Sequence, residues 1–223
     1  FGGKAIGIKP FPAWPRITEE KKRSLIHTFE QEEWGVGSKT ITTFNEQFAT
    51  MQDAKYCLSI HSGTSAIWIC LKAAGIEAGD EVILPSYTFI ATATAVVLAN
   101  AVPVFADIDK KTANLDPTSV EKLITKKTKA IIPVHTAGAP ANMKAFLDIS
   151  KKYIIPIIED AAQGHGSTID NKKVGAIGLG GIFSFQTSKN MRFLTFPKIE
   201  ILSPNPSEMM TLRLQILNFL CCA

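Results

Sequence analysis

An acid and an amine stand at the ends of two apolar runs, and their chemistry is complementary. The run Ile154–Ile158 stops at Glu159–Asp160, and the run Ile182–Phe185, which carries Ser184, is followed by Thr187, Ser188 and Lys189. Buried strands that end in such residues present them at their carboxyl ends, the edge where open α/β sheets bind ligands. A lysine able to form a Schiff base and a carboxylate able to pair with a ring nitrogen are what pyridoxal phosphate requires. The stretch Tyr153–Asn190 is therefore the one around which a site would be organised.

The elements that must position these groups can be read upstream. Residues 1–16 hold three prolines and three glycines and read as an extended arm. Charged Ile17–Glu33 and the pattern Phe44, Phe48, Met51 within Thr43–Ala54 predict two helices. Strands are predicted over Lys55–Ile60, Glu81–Pro85, Pro103–Ala106 and Ala130–Val134, the last ending at His135. Helices are predicted over Ile67–Ala74, after Phe89, from an Asp116 cap and first-turn Pro117 to Ile124, and over Met143–Lys151. Strand and helix alternate at short spacing, which means an α/β fold with a mainly parallel sheet and helices on both faces.

Further candidates stand after the predicted strands. In His61–Ser62–Gly63–Thr64–Ser65–Ala66, small residues at a strand-to-helix turn leave N–H groups free for a phosphate. The same residues also read as an ordinary cap, with Ser62 or Thr64 closing the first turn. Aromatic residues in Ser86–Tyr87–Thr88–Phe89 could stack on a planar ring or simply pack. His135 and His165 with Asp160 lack the short-range pairing of a metal site and read as structural or hydrogen-bonding histidines.

Several functions are disfavoured. The net charge of +4 is spread along the chain, which does not suggest a nucleic-acid surface. Four cysteines without CxxC or ligand spacing indicate a reducing, cytoplasmic setting rather than a disulfide framework. The uncharged stretch between Glu81 and Asp107 is long enough to span a bilayer, but its prolines and hydroxyls divide it into strand, helix and strand. Gly175, Gly178, Gly180 and Gly181 lack GxGxxG spacing and precede a strand, so they read as a flexible connection rather than a dinucleotide loop. Ser62 lies outside any GxSxG elbow.

Taken together, the blocks HSGTSAI, GDEVILPSYTFIATATAVVLANAVPVFADID, KAIIPVHTAG, IIEDAAQGHGS and FSFQTSKN resemble the DegT/DnrJ/StrS-type sugar aminotransferases. These are fold-type I enzymes dependent on pyridoxal phosphate, and the resemblance runs from about residue 10 to Asn190. It implies that residues 17–190 are the cofactor-binding large domain. It implies further that Lys189 bonds the cofactor and shuttles a proton, and that Asp160 keeps the ring nitrogen protonated. Gln163 would lie near the ring hydroxyl, Phe89 would stack on the ring, and Gly63, Thr64 and Ser184 would hold the phosphate. The implied reaction carries an amino group from an amino acid, glutamate or glutamine, to a keto-sugar or keto-cyclitol. Related dehydratases have histidine at the position of Lys189, so the lysine favours transamination. The opening GGK and FPAWP resemble members acting on cyclitol or aromatic-precursor ketones.

After Asn190 the resemblance ends. The family continues with a glycine-rich segment and a small C-terminal domain, whereas residues 191–223 read as a divergent tail whose end, Met209–Ala223, is apolar with a single charge at Arg213. The small domain is expected to be missing, as in a truncated or frame-shifted product. Family members are homodimers with sites shared between subunits. The alternative function is a catalytically inactive fragment that at most binds the cofactor or a partner subunit.

Overall fold

The computed structural model describes residues 17–32, 37–186, 188–189 and 199–203, the last five as backbone. The predicted arm over residues 1–16 and most of the tail lie outside the described residues. The chain divides into two compact units, residues 1–42 and 43–223. In the first, α1 (Glu19–Glu30) is capped by Thr18, whose hydroxyl accepts from the Lys21 N–H, and Glu19 and Glu20 suit its positive N-terminal end. None of its residues is buried.

The second unit holds the sheet. From Thr43 onward α2 (Lys39–Met51) leads into β1 (Tyr56–Ile60), α3 (Gly63–Ala73), β2 (Glu81–Pro85), α4 (Ile90–Leu98) and β3 (Val102–Ala106). Then come α5 (Pro117–Leu123), β4 (Thr128–Ile131), α6 (Met143–Tyr153) and β5 (Ile158–Asp160). A short hairpin of β6 (Thr168–Ile169) and β7 (Lys172–Lys173) precedes β8 (Gly180–Ser184) and β9 (Ile199–Ser203). Strands β3, β2 and β4 pair in parallel, as do β5 and β8. Parallel bridges Ile131–Ile157 and Val134–Asp160 join β4 to β5. β9 lies antiparallel between β8 and β1, so residues 199–203 enter the sheet and β1 runs in the same direction as β8. The carboxyl ends of β1, β2, β4, β5 and β8 therefore share one edge.

Side-chain alternation fills both faces. Val82 and Leu84 enter a core with Ile67, Leu71 and Val96 from α3 and α4, while Ile83 faces Val120, Phe146 and Ile149 from α5 and α6. Each such fully buried aliphatic side chain contributes roughly 1.5–3 kcal/mol. A third cluster packs Phe48 of α2 against Phe183 and Phe185, with ring centroids 5.2 Å apart in both pairs. Met51, predicted on the same face, is instead 38% exposed.

Two predicted strands begin or end elsewhere. β5 starts only at Ile158, because α6 runs on to Tyr153 and Ile154 adopts a left-handed cap (φ 56°) that leaves it 91% exposed. β4 stops at Ile131 because Pro133 has no N–H to donate. Pairing nevertheless continues on the other side, where the Asp160 N–H donates to the Pro133 carbonyl and the His135 N–H donates to that of Asp160.

The glycine-rich segment read as a flexible connection is held tightly. Glu159, fully buried, accepts from the N–H groups of Gly175 (2.8 Å), Ile177 (2.7 Å) and Gly178 (2.7 Å). His135 is its fourth donor: the Ala141 N–H donates to Nδ1, so the ring proton sits on Nε2, 3.0 Å from Glu159 Oε2. Gly175 has φ +83°, and a Cβ there would strike the Phe183 ring; one on Gly181 would strike the Gly175 carbonyl. The glycines permit a close approach of backbone to strand, not motion. Replacing Glu159 by Gln turns an amide N–H₂ toward groups that are themselves donors. Glu159→Gln is expected to lose about 3–5 kcal/mol in urea unfolding, whereas a loss below about 1 kcal/mol would contradict a clamp of this kind.

Candidate active site

Asp160 is buried at the end of β5 and faces the side opposite Glu159, toward α3 and α4. Thr92 Oγ1 donates to its Oδ2 at 2.7 Å, and the Ala162 N–H donates to its Oδ1 at 3.1 Å. Burial raises the Asp160 pKa, while these two donors and the neighbouring Lys189 and His135 act in the opposite sense. Two donors leave lone pairs free on the carboxylate for a further partner.

Lys189 is half-buried in the turn that follows β8. Gln186 builds that turn: its carbonyl accepts from the Lys189 N–H at 2.9 Å and its side-chain oxygen from the Ser188 N–H at 2.8 Å. Ser184, the last residue of β8, is buried, and its hydroxyl accepts from the Gln186 N–H at 3.4 Å.

At the neighbouring end of β1, Ser62 caps α3 by accepting from the Ser65 N–H at 3.1 Å. The N–H groups of Gly63 and Thr64 have no partner among the described residues. The two sequence readings of this turn thus coexist, with a cap from Ser62 and free donors one and two residues later. Phe89 stands at the N-terminus of α4 and is 69% exposed. Gln163 accepts from the Ala137 N–H through Oε1 at 2.7 Å, which leaves its Nε2 without a partner among the described residues.

Lys189, Asp160, Gln163, Gly63, Thr64, Phe89 and Ser184 all follow or end strands at the same edge. The two histidines do not join them as ligands. His135 is fixed between Glu159 and Ala141, and His165 packs against Phe48, Phe183 and Phe185. Among the described residues no group of three or more His, Cys, Asp or Glu could hold a metal ion. No helix among them is long and apolar enough to cross a membrane. A cleft of about 390 Å³ lined by Lys126, Lys129, Tyr153 and Ile154 lies at the amino ends of β4 and β5, away from this edge.

Sequence reasoning did not single out Thr92, Gln186 or the fixing role of Glu159. Thr92 sits in an uncharged stretch with nothing to mark it, and Gln186 sits beside the singled-out Lys189 without a pattern of its own. Glu159 carried a signal, a second acid beside Asp160 at the end of an apolar run, whose neighbours necessarily face opposite sides of a strand.

This architecture is an α/β fold that matches half of a fold-type I aminotransferase. The chain belongs to the DegT/DnrJ/EryC1/StrS aminotransferase family, which residues 15–195 match. It is 37% identical over 194 residues to the L-glutamine:2-deoxy-scyllo-inosose aminotransferase of Streptomyces lividus, covering 84% of this chain and 46% of that protein. It is 38% identical over 182 residues to the 3-amino-5-hydroxybenzoate synthase of Amycolatopsis mediterranei (strain S699), covering 81% of this chain and 47% of that one. Among solved structures, the aminotransferase from Psychrobacter cryohalolentis aligns with a TM-score of 0.86 at 33% identity, over 91% of this chain and 51% of that one. 3-Amino-5-hydroxybenzoic acid synthase aligns with a TM-score of 0.86 at 34% identity, over 92% and 54%. The chain spans about half the length of the relatives it matches.

Neither ring nitrogen of His165 has a partner among the described residues, and burial, aided by the Lys189 charge, lowers its pKa from 6.5 to about 4. In that interval the unfolded chain binds a proton that the folded chain does not, so the contribution of His165 is present above about 6.5 and is lost as pH falls toward 4. In urea unfolding at a series of pH values, His165→Phe is expected to gain on the unmodified chain as pH falls through this window. A stability difference that stays constant with pH would contradict the assignment.

Proposed function

We propose that this chain is the cofactor-binding part of a pyridoxal-phosphate-dependent aminotransferase that moves an amino group from glutamate or glutamine to a keto-sugar or keto-cyclitol. The observation that carries the reading is the parallel pairing of β5 with β8. One strand ends in buried Asp160, the other leads into the turn bearing Lys189, and the two charges are within electrostatic reach. Family membership supports it, as do relatives named for glutamine and inosose substrates.

The residues at the edge fit the cofactor. The N–H groups of Gly63 and Thr64 at a helix N-terminus, unpartnered among the described residues, suit a phosphate together with the Ser184 hydroxyl. The exposed Phe89 ring offers a flat apolar face, and Gln163 Nε2, without a partner among the described residues, suits a ring hydroxyl. Asp160, with lone pairs to spare, suits a protonated ring nitrogen. When bound, pyridoxal phosphate supplies an electron sink for the pair left as a carbon–hydrogen bond breaks. Asp160 holds the proton on the ring nitrogen, and Lys189 Nζ takes the proton from the carbon bearing the amino group. Phe89 orients the ring and keeps water from one of its faces.

The active assembly in this reading is a homodimer. On α4, Ile90, Val97 and Leu98 are 69%, 57% and 56% exposed, an apolar face that a second subunit would cover.

With pyridoxal phosphate and glutamate, the chain is expected to release one equivalent of the 2-oxo acid, and Lys189→Ala to lower that rate at least about 10²-fold. Equal rates in the two proteins would refute the role of Lys189. Cofactor binding without release would instead favour the second reading, an inactive fragment that at most binds the cofactor or a partner subunit.

A further inference from the structure

Threonine hydroxyls inside helices usually turn back to the carbonyl four residues earlier, as Thr28, Thr42, Thr50 and Thr94 do here. Thr92 does not. Fully buried in the first turn of α4, it sends its proton across to Asp160 Oδ2 at 2.7 Å, and its oxygen lies 2.9 Å from the hydroxyl of half-buried Thr88. A hydroxyl has one proton, and a carboxylate accepts only. With the Thr92 proton committed to Asp160, the bond between the threonines has one possible sense: Thr88 donates to Thr92, and Thr92 donates to Asp160.

We infer that Thr88 and Thr92 form a directed hydroxyl chain that keeps Asp160 in its acceptor form, making Thr92 a positioning residue for a ligand with a protonated aromatic nitrogen. The inference rests on the pyridoxal-phosphate reading for the identity of that ligand, but the chain of hydroxyls is a property of this protein alone. Its chemical need is plain. Burial favours the neutral acid, which would reverse the chain and offer the ring nitrogen a donor in place of an acceptor. Other groups facing Asp160 are Lys189, from the turn after β8, and His135, from the end of β4; both favour the charged form, and α4 carries no charged side chain. Thr88 also adjoins Phe89, so the chain ties the segment bearing the exposed ring to the acid beneath it. A valine would fill the space of Thr92 equally well, and α4 is otherwise built from alanine, valine, leucine, isoleucine and one exposed threonine. A buried hydroxyl there is unfavourable unless its hydrogen bonds are used.

The test is carbon-13 NMR of the aspartate carboxyls in the full chain without cofactor, with the Asp160 signal identified by its loss in Asp160→Asn. Thr92→Val is expected to move the Asp160 titration to higher pH, Thr92→Ser to return it toward the unmodified position, and Thr88→Val to shift it upward by less. An unshifted titration in Thr92→Val overturns the inference. Should that variant not fold, Thr88→Val decides, an upward shift supporting the chain and no shift overturning it. Titration with pyridoxal phosphate adds a separate arm, in which Thr92→Val is expected to bind about tenfold more weakly, the loss of one hydrogen bond to a charged group. If the NMR shift occurs but the unmodified chain binds no pyridoxal phosphate, the cofactor reading fails and the hydroxyl chain stands. If both proteins bind equally and titrate alike, the reverse holds.

Discussion

Glu159 is a carboxylate with no access to water and four donors around it, and the site edge depends on that arrangement. A buried charge is costly unless its hydrogen bonds are met. Meeting them here draws the end of β4, through His135, and the segment Gly175–Gly178 onto β5. That segment leads directly into β8, so the clamp also sets where β8 begins. Because neighbours on a strand face opposite sides, fixing Glu159 below the sheet commits Asp160 to the other side, toward α4. The two adjacent acids divide the labour. One anchors backbone and the other is left with acceptor capacity at the edge.

The aromatic cluster of α2 supports the same strand from behind. Phe48 and Phe44 meet Phe185, and Phe48 meets Phe183, while Ser184 between them faces the opposite side. His165 lies within this cluster, 5.0 Å from Phe185 between ring centroids, which explains why it reads as an aromatic and not as a ligand. The chemistry-bearing face of β8 is thus backed by packing that uses no polar group of the site.

Much of this was legible in the sequence because period-two alternation and strand-end residues both follow from strand geometry. The elements over Tyr56–Ile60, Glu81–Pro85 and Val102–Ala106 came out within a residue or two, as did α5 with its Asp116 cap. Less legible was anything decided by one hydrogen bond across a long separation. Glu159 reaching Gly175, or Thr92 reaching Asp160 from 68 residues away, leaves no local pattern. Composition misled at the glycines, where the same residues that loosen a chain also let backbone pack against backbone. It misled again at Ile154, an apolar residue spent on a helix end and exposed. Nor does local pattern show that residues 199–203 pair between β8 and β1, since that pairing depends on the gap the other strands leave.

We propose that one sheet edge assembles a binding site around Asp160 and Lys189. The most direct test is to incubate the chain with pyridoxal phosphate, reduce with borohydride and map the peptides by mass spectrometry. A phosphopyridoxyl mass is expected on Lys189 in near-stoichiometric yield, with the other lysines unlabelled. Label scattered over the surface lysines, or none on Lys189 in a folded sample, would contradict it.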